Sequence, residues 1–375
     1  VRRWTSILIE REVFDVRTLL IIVLTFILLA GTYVLYLANE AGEFRTVDNY
    51  YPGQCRQVPS LPGSEDITIH PGGSFAYISS DDRRAVMAGT PSPGKIFRYP
   101  LDAPTAAVNM TPDADNHFRP HGISLFVDDT GRETLFVVNH PGESLFGAPA
   151  DDYEGPAHTV EIFDVQGAVL QHRRTVAGAL ILSPNDVVGI DHERFYVSND
   201  HGAKPGFMRQ LEDYLRLPWA NVVYFDGETL REVADGLSYA NGINISPDST
   251  RLYVAEVSRS RIQEYERNPL SGDLSHRRTL DVGFGVDNIE VDAATGHLWI
   301  GGHAKLLTFV RHSADPLVPS PSQAAQVQLA DDDYRVRMVF SDDGRLISGA
   351  SVAAESDGRL LLGSVFEDHI VDCVQ

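Results

Sequence analysis

The chain reads as an all-β protein, a six-bladed β-propeller closed by its own first and last strands and preceded by one transmembrane helix. Three observations carry this reading. One short phrase recurs six times, with polar or small residues at its head, an alternating apolar run, a turn and a second apolar strand. Its copies begin at Glu65, His121, Asn185, Asn241, Asp287 and Ala350. They lie 46 to 64 residues apart, and short-strand repeats of about 40–50 residues are the mark of propeller blades. The two cysteines, Cys55 and Cys373, stand near the two ends of the globular part, where a ring has to be closed. Finally, Thr18 to Leu37 is an uncharged apolar run, and about 20 such residues cross a bilayer core as a helix.

Arg2, Arg3, Arg11 and Arg17 precede the apolar run and only Arg45 follows closely. The N-terminus is therefore expected in the cytoplasm and the body outside it, in a periplasmic, extracellular or lumenal space. The run is longer than that of a signal peptide, and Ala38-Asn39-Glu40-Ala41 is a poor cleavage site. A retained single-pass anchor is expected. Residues 1–45 would form tail, helix and linker, and residues 46–375 the propeller. In an exported ring, Cys55 and Cys373 are expected to join the closing strands in a disulfide.

Composition fits a globular body, with 43% hydrophobic and 22% charged residues and Gly and Pro enough for many turns. The net charge of −21 speaks against nucleic acid as a partner. Asp331-Asp332-Asp333 reads as a solvated loop.

Each blade should hold the heading strand, its hairpin partner (Leu298-Trp299-Ile300 is one) and one or two outer strands. Ile262 to Tyr265 and Leu306 to Phe309 are expected among the outer strands. Gly206 to Trp219 breaks the pattern. Met208, Leu211, Tyr214 and Leu215 fall at helical spacing with Pro218 ending the run. That helix could pack on the propeller top, or act as a lid or membrane-facing element. Asn109-Met110-Thr111 and Asn244-Ile245-Ser246 match a glycosylation pattern, the second inside an inner strand and so inaccessible.

Equivalent positions of radial blades converge on one axis. Glu65, Asn185, Asn241, Asp287 and Asn288 head their phrases and all supply oxygen. Two carboxylates and three amides suit Ca²⁺, which takes six to eight oxygens in flexible geometry. Zn²⁺ would want nitrogen and sulfur at spacings that are absent here. Asp66 and Asp186 occupy the next positions and, by strand alternation, should point away into a second, deeper oxygen cluster.

His121 heads the second phrase and His140 ends its hairpin partner, so both reach one rim. Imidazole accepts a proton from water near neutral pH, and a second ring can orient or relay for the first. His201 is a third candidate, beside the helical insert. No G-x-S-x-G elbow is present. What remains is water activated by histidine at a carbonyl polarised by a metal.

The phrases PHGIS, VVNHP, PNDVV, SNDHG, ANGINISPD, VDNIEVD, TGHLWIGGH and GSVF closely resemble the serum paraoxonase/arylesterase family, in order over about residues 51–375. The resemblance implies a six-bladed propeller with two calcium ions, hydrolysing lactones, aryl esters and, promiscuously, organophosphates. It implies a catalytic calcium held by Glu65, Asn185, Asn241, Asp287 and Asn288. A structural calcium would be held by Asp66, Asp186 and the carbonyl of Ile123. His121 would be the base, with His140 as its partner, and Cys55–Cys373 the disulfide. Tyr239, Ser351, Val365 and Phe366 would line the substrate pocket.

The sequence also departs from the family. Its free-cysteine position is Gly302 here, and the 141–158 segment is longer than usual. A sugar lactonase shares the ring logic, but an apolar wall and the expected absence of arginine near the pocket speak against it. A non-enzymatic, membrane-tethered propeller with purely structural calcium is the third reading.

Overall fold

A computed structural model describes residues 16–102, 106–142 and 153–374. Arg2, Arg3 and Arg11, and most of the 141–158 segment, lie outside the described residues.

The first compact unit ends at Glu40. Its helix α1 (Val16–Glu40) buries none of its side chains, and its mean hydropathy of 2.5 makes it apolar enough to cross a membrane. The second unit starts at Ala41.

This second unit is a ring of six four-stranded antiparallel sheets. The first blade is β2 (Ile67–Ile69), β3 (Phe75–Ser80), β4 (Lys95–Pro100) and β5 (Val108–Asn109). The second is β6 (Pro120–Val127), β7 (Glu133–Asn139), β8 (Thr159–Gln166) and β9 (Val169–Val176). The third is β10 (Pro184–Gly189), β11 (Phe195–Asn199), β12 (Ala220–Phe225) and β13 (Leu230–Leu237). The fourth is β14 (Ala240–Ile245), β15 (Arg251–Glu256), β16 (Arg261–Arg267) and β17 (Leu274–Asp281). The fifth is β18 (Gly285–Val291), β19 (Leu298–His303), β20 (Ser322–Leu329) and β21 (Tyr334–Asp342). The sixth joins β22 (Ala350–Ser356), β23 (Arg359–Ser364) and β24 (His369–Val374) to the N-terminal β1 (Gln54–Pro59). Cys55 and Cys373 are direct partners across β1 and β24 and are disulfide-bonded.

Alternation along a strand explains why the ring holds. Successive side chains leave a sheet on opposite faces, and each face of a blade meets a neighbouring blade. In β3, Tyr77 packs toward the second blade with Leu135 and Val137, while Ile78 packs toward the sixth with Leu361 and Ile370. Leu360 and Leu362 of β23 turn to the fifth blade and Leu361 to the first. The core is thus six apolar wedges between blades. Burying each such side chain contributes roughly 1.5–3 kcal/mol.

Among the described residues, three α-helices decorate the ring. The short α2 (Arg83–Met87) is capped by Asp82, whose carboxylate accepts the Ala85 amide at 2.9 Å. Helix α3 (Phe207–Leu215) sits between β11 and β12 as the periodicity predicts, but it ends at Arg216 in the left-handed conformation (φ 53°), ahead of Pro218. Its apolar stripe is not the packed face. Phe207, Met208, Tyr214 and Leu215 are exposed, and the buried residue is Glu212, which accepts the Gly202 and Ala203 amides. Leu306 to Phe309 is no strand. It opens helix α4 (Leu306–Ala314), because a short apolar run reads equally as buried helix or strand until its length is known. The polar segment before β1 is held as well: the Leu306 amide donates to Ala41 O at 2.9 Å, and Glu43 accepts from Thr308.

Candidate functional site

Five innermost strands (β6, β10, β14, β18 and β22) shift register at their heads, between Pro120 and Ile123, Pro184 and Val187, Ala240 and Ile243, Val286 and Ile289, and Ala350 and Val352. A bulge sets two residues against one and re-aims both side chains. Strand alternation is therefore interrupted at the heads of these five strands, Asp186 among them, whereas Asp66 stands just before β2, whose pairing with β3 is regular. Asp66 adds to the charge felt by Glu65, and Glu65 and Asp66 to that felt by Asp186.

Glu65, Asn185, Asn241, Asp287 and Asn288 are all buried on this axis. Asn288 Nδ2 donates to Glu65 Oε1 at 2.7 Å and to the Glu65 carbonyl at 3.1 Å, which leaves its own Oδ1 turned elsewhere. Ser351 Oγ, at 2.6 Å, also donates to that carbonyl. Glu65 Oε2, Asn185 Oδ1, Asn241 Oδ1 and Asn288 Oδ1 are buried without a hydrogen-bond partner. Desolvated oxygens of this kind are costly unless an ion or water meets them. All four are hard acceptors, so the donor set fits a calcium-like cation. Burial, with Asp66 and Asp287 close by, pushes the Glu65 carboxyl well above its usual range. That is the electrostatic signature of a site short of positive charge.

The second tier repeats one construction twice. Asp66 Oδ2 accepts the Ile123 amide of the next blade at 2.7 Å, and Asp186 Oδ2 accepts the Ile243 amide at 2.8 Å. Ser79 and Ser198 hydroxyls accept the two aspartate amides, each at 3.1 Å. Between these acids the matching residue is glycine. A Cβ on Gly122 would lie 2.3 Å from Asp186 Oδ1, so only glycine leaves room there. Glu290, not foreseen, adds a carboxylate below: Thr68 Oγ1 donates to its Oε2 at 3.3 Å, and burial with Asp66 nearby pushes it well up.

His121 and His140 do meet. His140 Nε2 lies 3.2 Å from His121 Nδ1, with the rings nearly perpendicular at 86°. His121 Nε2 is 3.5 Å from Glu65 Oε1. Burial is the first cause that holds both imidazoles well below their usual range, followed by Arg83 for His121 and by His121 and His158 for His140. Arg83 contradicts the expected absence of arginine. It is buried, and its Nη2 stands 3.2 Å from His121 Nδ1 while Nη1 reaches the Val365 carbonyl at 3.4 Å. The Gly63 carbonyl, 3.4 Å from Nη1, holds the Arg83 side chain and the Asp82 cap starts its helix, an encounter that no spacing in the sequence reveals.

The expected wall residues Tyr239 and Phe366 each meet a neighbouring side chain. Tyr239 is in the left-handed conformation (φ 58°) and meets the His201 ring edge-on at 4.9 Å. His201 is clamped between Asp200 at 2.6 Å and Asp213 of α3 at 2.8 Å, and Asp200 also lies 3.5 Å from Asn185 Nδ2. His201 thereby ties α3 to Asp200. Phe366 is buried beneath the Arg84 guanidinium, 4.5 Å away, and faces Phe309 of α4. Phe309 stacks on His303 at 3.6 Å, and His303 Nε2 holds Asp287 Oδ2 at 2.8 Å. His303 ends β19 as Asn139, next to His140, ends β7; the repeat logic applied to the partner strands would have found it. At Gly302 a Cβ would lie 2.0 Å from the Gly285 carbonyl, so this backbone leaves no room for a cysteine there.

Among the described residues one further group, Glu367, Asp368 and His369, brings ligand atoms within 4.8 Å of one another. Its His369 is already engaged by Asp368 and the Leu346 carbonyl, and none of its side-chain atoms is buried without a partner.

Residues 47–373 match the protein family described as Arylesterase. Serum paraoxonase/arylesterase 1 of Rattus norvegicus is 34% identical over 333 residues, covering 86% of this chain and 89% of that protein. Serum paraoxonase/arylesterase 2 of Homo sapiens is 33% identical over 350 residues, covering 90% and 94%. Among solved structures, a luciferin-regenerating enzyme aligns with a TM-score of 0.53 over 86% of this chain and 95% of its own, at 11% identity, a likeness of fold alone.

Proposed function

The chain belongs to the arylesterase family, and from that premise we propose that it is a calcium-dependent hydrolase of lactones and aryl esters, with phosphotriesters as promiscuous substrates. The observation that carries the calcium part is the set of four buried, unpartnered oxygens beside a neutral histidine pair. Glu65, Asn185, Asn241, Asp287 and Asn288 would hold the catalytic ion, and Asp66, Asp186 and the Ile123 carbonyl a structural one. When bound, the catalytic ion supplies a Lewis acid that polarises the substrate carbonyl.

The protein's own residues do the rest. Burial keeps His121 neutral at pH 7, so its Nε2 can take the proton of an attacking water when Nδ1 carries the ring hydrogen toward His140. His140 Nε2 accepts that hydrogen and fixes the ring. Tyr239, Ser351, Val365, Phe366 and the His201 clamp shape the wall, orient the acyl part and exclude water. The propeller carries this chemistry outside the cytoplasm, where the Cys55–Cys373 bridge persists, and α1 tethers it to a membrane. The exposed apolar stripe of α3 suits a lid or a membrane-facing role.

The test is chelation. Dialysis against EDTA should abolish hydrolysis of γ- and δ-lactones and phenyl acetate, and titration calorimetry on re-addition should count two calcium ions per chain. Full turnover by metal-free protein would reject the mechanism. A sugar-lactone hydrolase is the second reading, and Arg83 and Arg84 at the site favour it, since guanidinium groups bind polar ring substituents. Gluconolactone outpacing long-chain acyl lactones in the same panel would select it.

A further inference from the structure

His140 has two ring nitrogens and both are engaged. Nε2 faces His121, and Nδ1 lies 2.9 Å from Nδ1 of His158, whose ring stands at 89° to it with centroids 5.1 Å apart. His158 is half-exposed, just before buried Thr159 at the start of β8 and just after the exposed Gly155 to Ala157. Three imidazoles thus run in contact from Glu65 out to the half-exposed His158.

We propose that His158 extends the His121–His140 pair into a three-imidazole proton relay that discharges the proton released from the attacking water into solvent. The inference rests on the hydrolase reading above. Before the step, His121 carries its hydrogen on Nδ1, His140 on Nδ1 and His158 on Nε2. Water gives a proton to His121 Nε2 as its oxygen bonds to the acyl carbon and the carbonyl π pair moves onto the carbonyl oxygen. Return of that pair breaks the acyl bond to the leaving phenoxide or alkoxide, and the alkoxide takes up a proton from solvent as the acid loses one. The Nδ1 hydrogen of His121 passes to His140 Nε2, the Nδ1 hydrogen of His140 passes to His158 Nδ1, and His158 Nε2 releases its hydrogen to bulk water. One proton enters and one leaves, and each ring ends neutral in its other tautomer.

Arg83 gives the relay a direction. Its Nη2 is 3.2 Å from His121 Nδ1 and can only donate, so it stabilises the state in which that nitrogen has lost its hydrogen. The return hop, or a ring flip, resets the chain between turnovers. Among the described residues, the charged and titratable groups that face the outer two rings include Asp200 and, on α3, Arg209 for His158, and His121, His158, Asp200 and Arg83 for His140. Burial pushes His158 down to about 4, so it is a neutral carrier at pH 7. His158 acts through His140 and is a positioning and relay residue, not one that touches substrate.

The experiment uses the full calcium-loaded chain with phenyl acetate and a γ-lactone, at low and high buffer concentration. His158→Phe should lower kcat roughly tenfold in dilute buffer, with KM and calcium affinity unchanged, and added imidazole should restore the rate. His158→Gln, which keeps a polar side chain, should behave likewise and guards against a folding defect in the phenylalanine variant. Unchanged kcat in dilute buffer, or a loss that imidazole does not rescue in folded protein, overturns the relay. Failure of the hydrolase reading shows instead in the native chain, as no turnover of either substrate with calcium bound.

Discussion

The two nitrogens of His121 face different partners: Nε2 looks at Glu65 across 3.5 Å, and Nδ1 is shared by Arg83 and His140 at 3.2 Å each. A base so placed is replaceable in shape but not in chemistry. His121→Gln should lower kcat on lactones by about 100-fold or more, while calcium affinity measured by calorimetry stays within a few-fold. An undiminished rate would remove His121 from the role. The residues that could be read in the sequence are those heading a repeated phrase, because a shared register implies a shared radius from the axis. Arg83, His158, His303 and Glu290 escaped. Arg83 arrives from a short helix and His158 from a hairpin end. His303 closes a second strand, and Glu290 lies two residues past Asn288, beyond the register shift of β18.

At the scale of elements, α3 is joined to the site by a charge clamp rather than by its apolar stripe. Burial alone would lower the His201 pKa, but Asp200 and Asp213 outweigh it and raise it to about 10. In the unfolded chain the same ring loses its proton near 6.5. The clamp's contribution is therefore complete below about pH 6.5 and is lost as pH rises toward 10. Amide hydrogen exchange across Phe207–Leu215, corrected for its intrinsic pH dependence, should show protection falling between pH 7 and 10. In His201→Gln protection should be low throughout, and pH-independent protection in the native chain would contradict the clamp. The blades were legible because an apolar strand, a turn and a second apolar strand recur at blade length, even where the strands are buried on both faces. Helix α4 was not, since Leu306 to Phe309 is too short a run to separate the two periods, and its role in stacking Phe309 on His303 depends on it being a helix.

The whole ring depends on one closure. Cys55 and Cys373 are 318 residues apart in sequence and lie on adjacent strands. Cross-linking so long a loop restricts the unfolded chain by upwards of about 4 kcal/mol in the entropy model. Cys55→Ala with Cys373→Ala should lower the unfolding temperature on the order of 10 °C. At ambient temperature calcium stoichiometry should be unchanged, because no ligand lies on β1 or β24. An unchanged unfolding temperature would show that strand pairing alone closes the ring.

Six blades, an apolar helix ahead of them, a bridge between the ends and an oxygen-rich axis follow from neighbours along the chain: alternation, repeat length and the identity of the leading residues. Only packing decided that Glu65 and Asp66 meet Asp287 and Asp186 in one charge cluster, that Arg83 reaches His121, and that His158 touches His140. Those encounters join residues tens to hundreds of positions apart through the angles at which blades and short helices meet, and no local pattern encodes such angles.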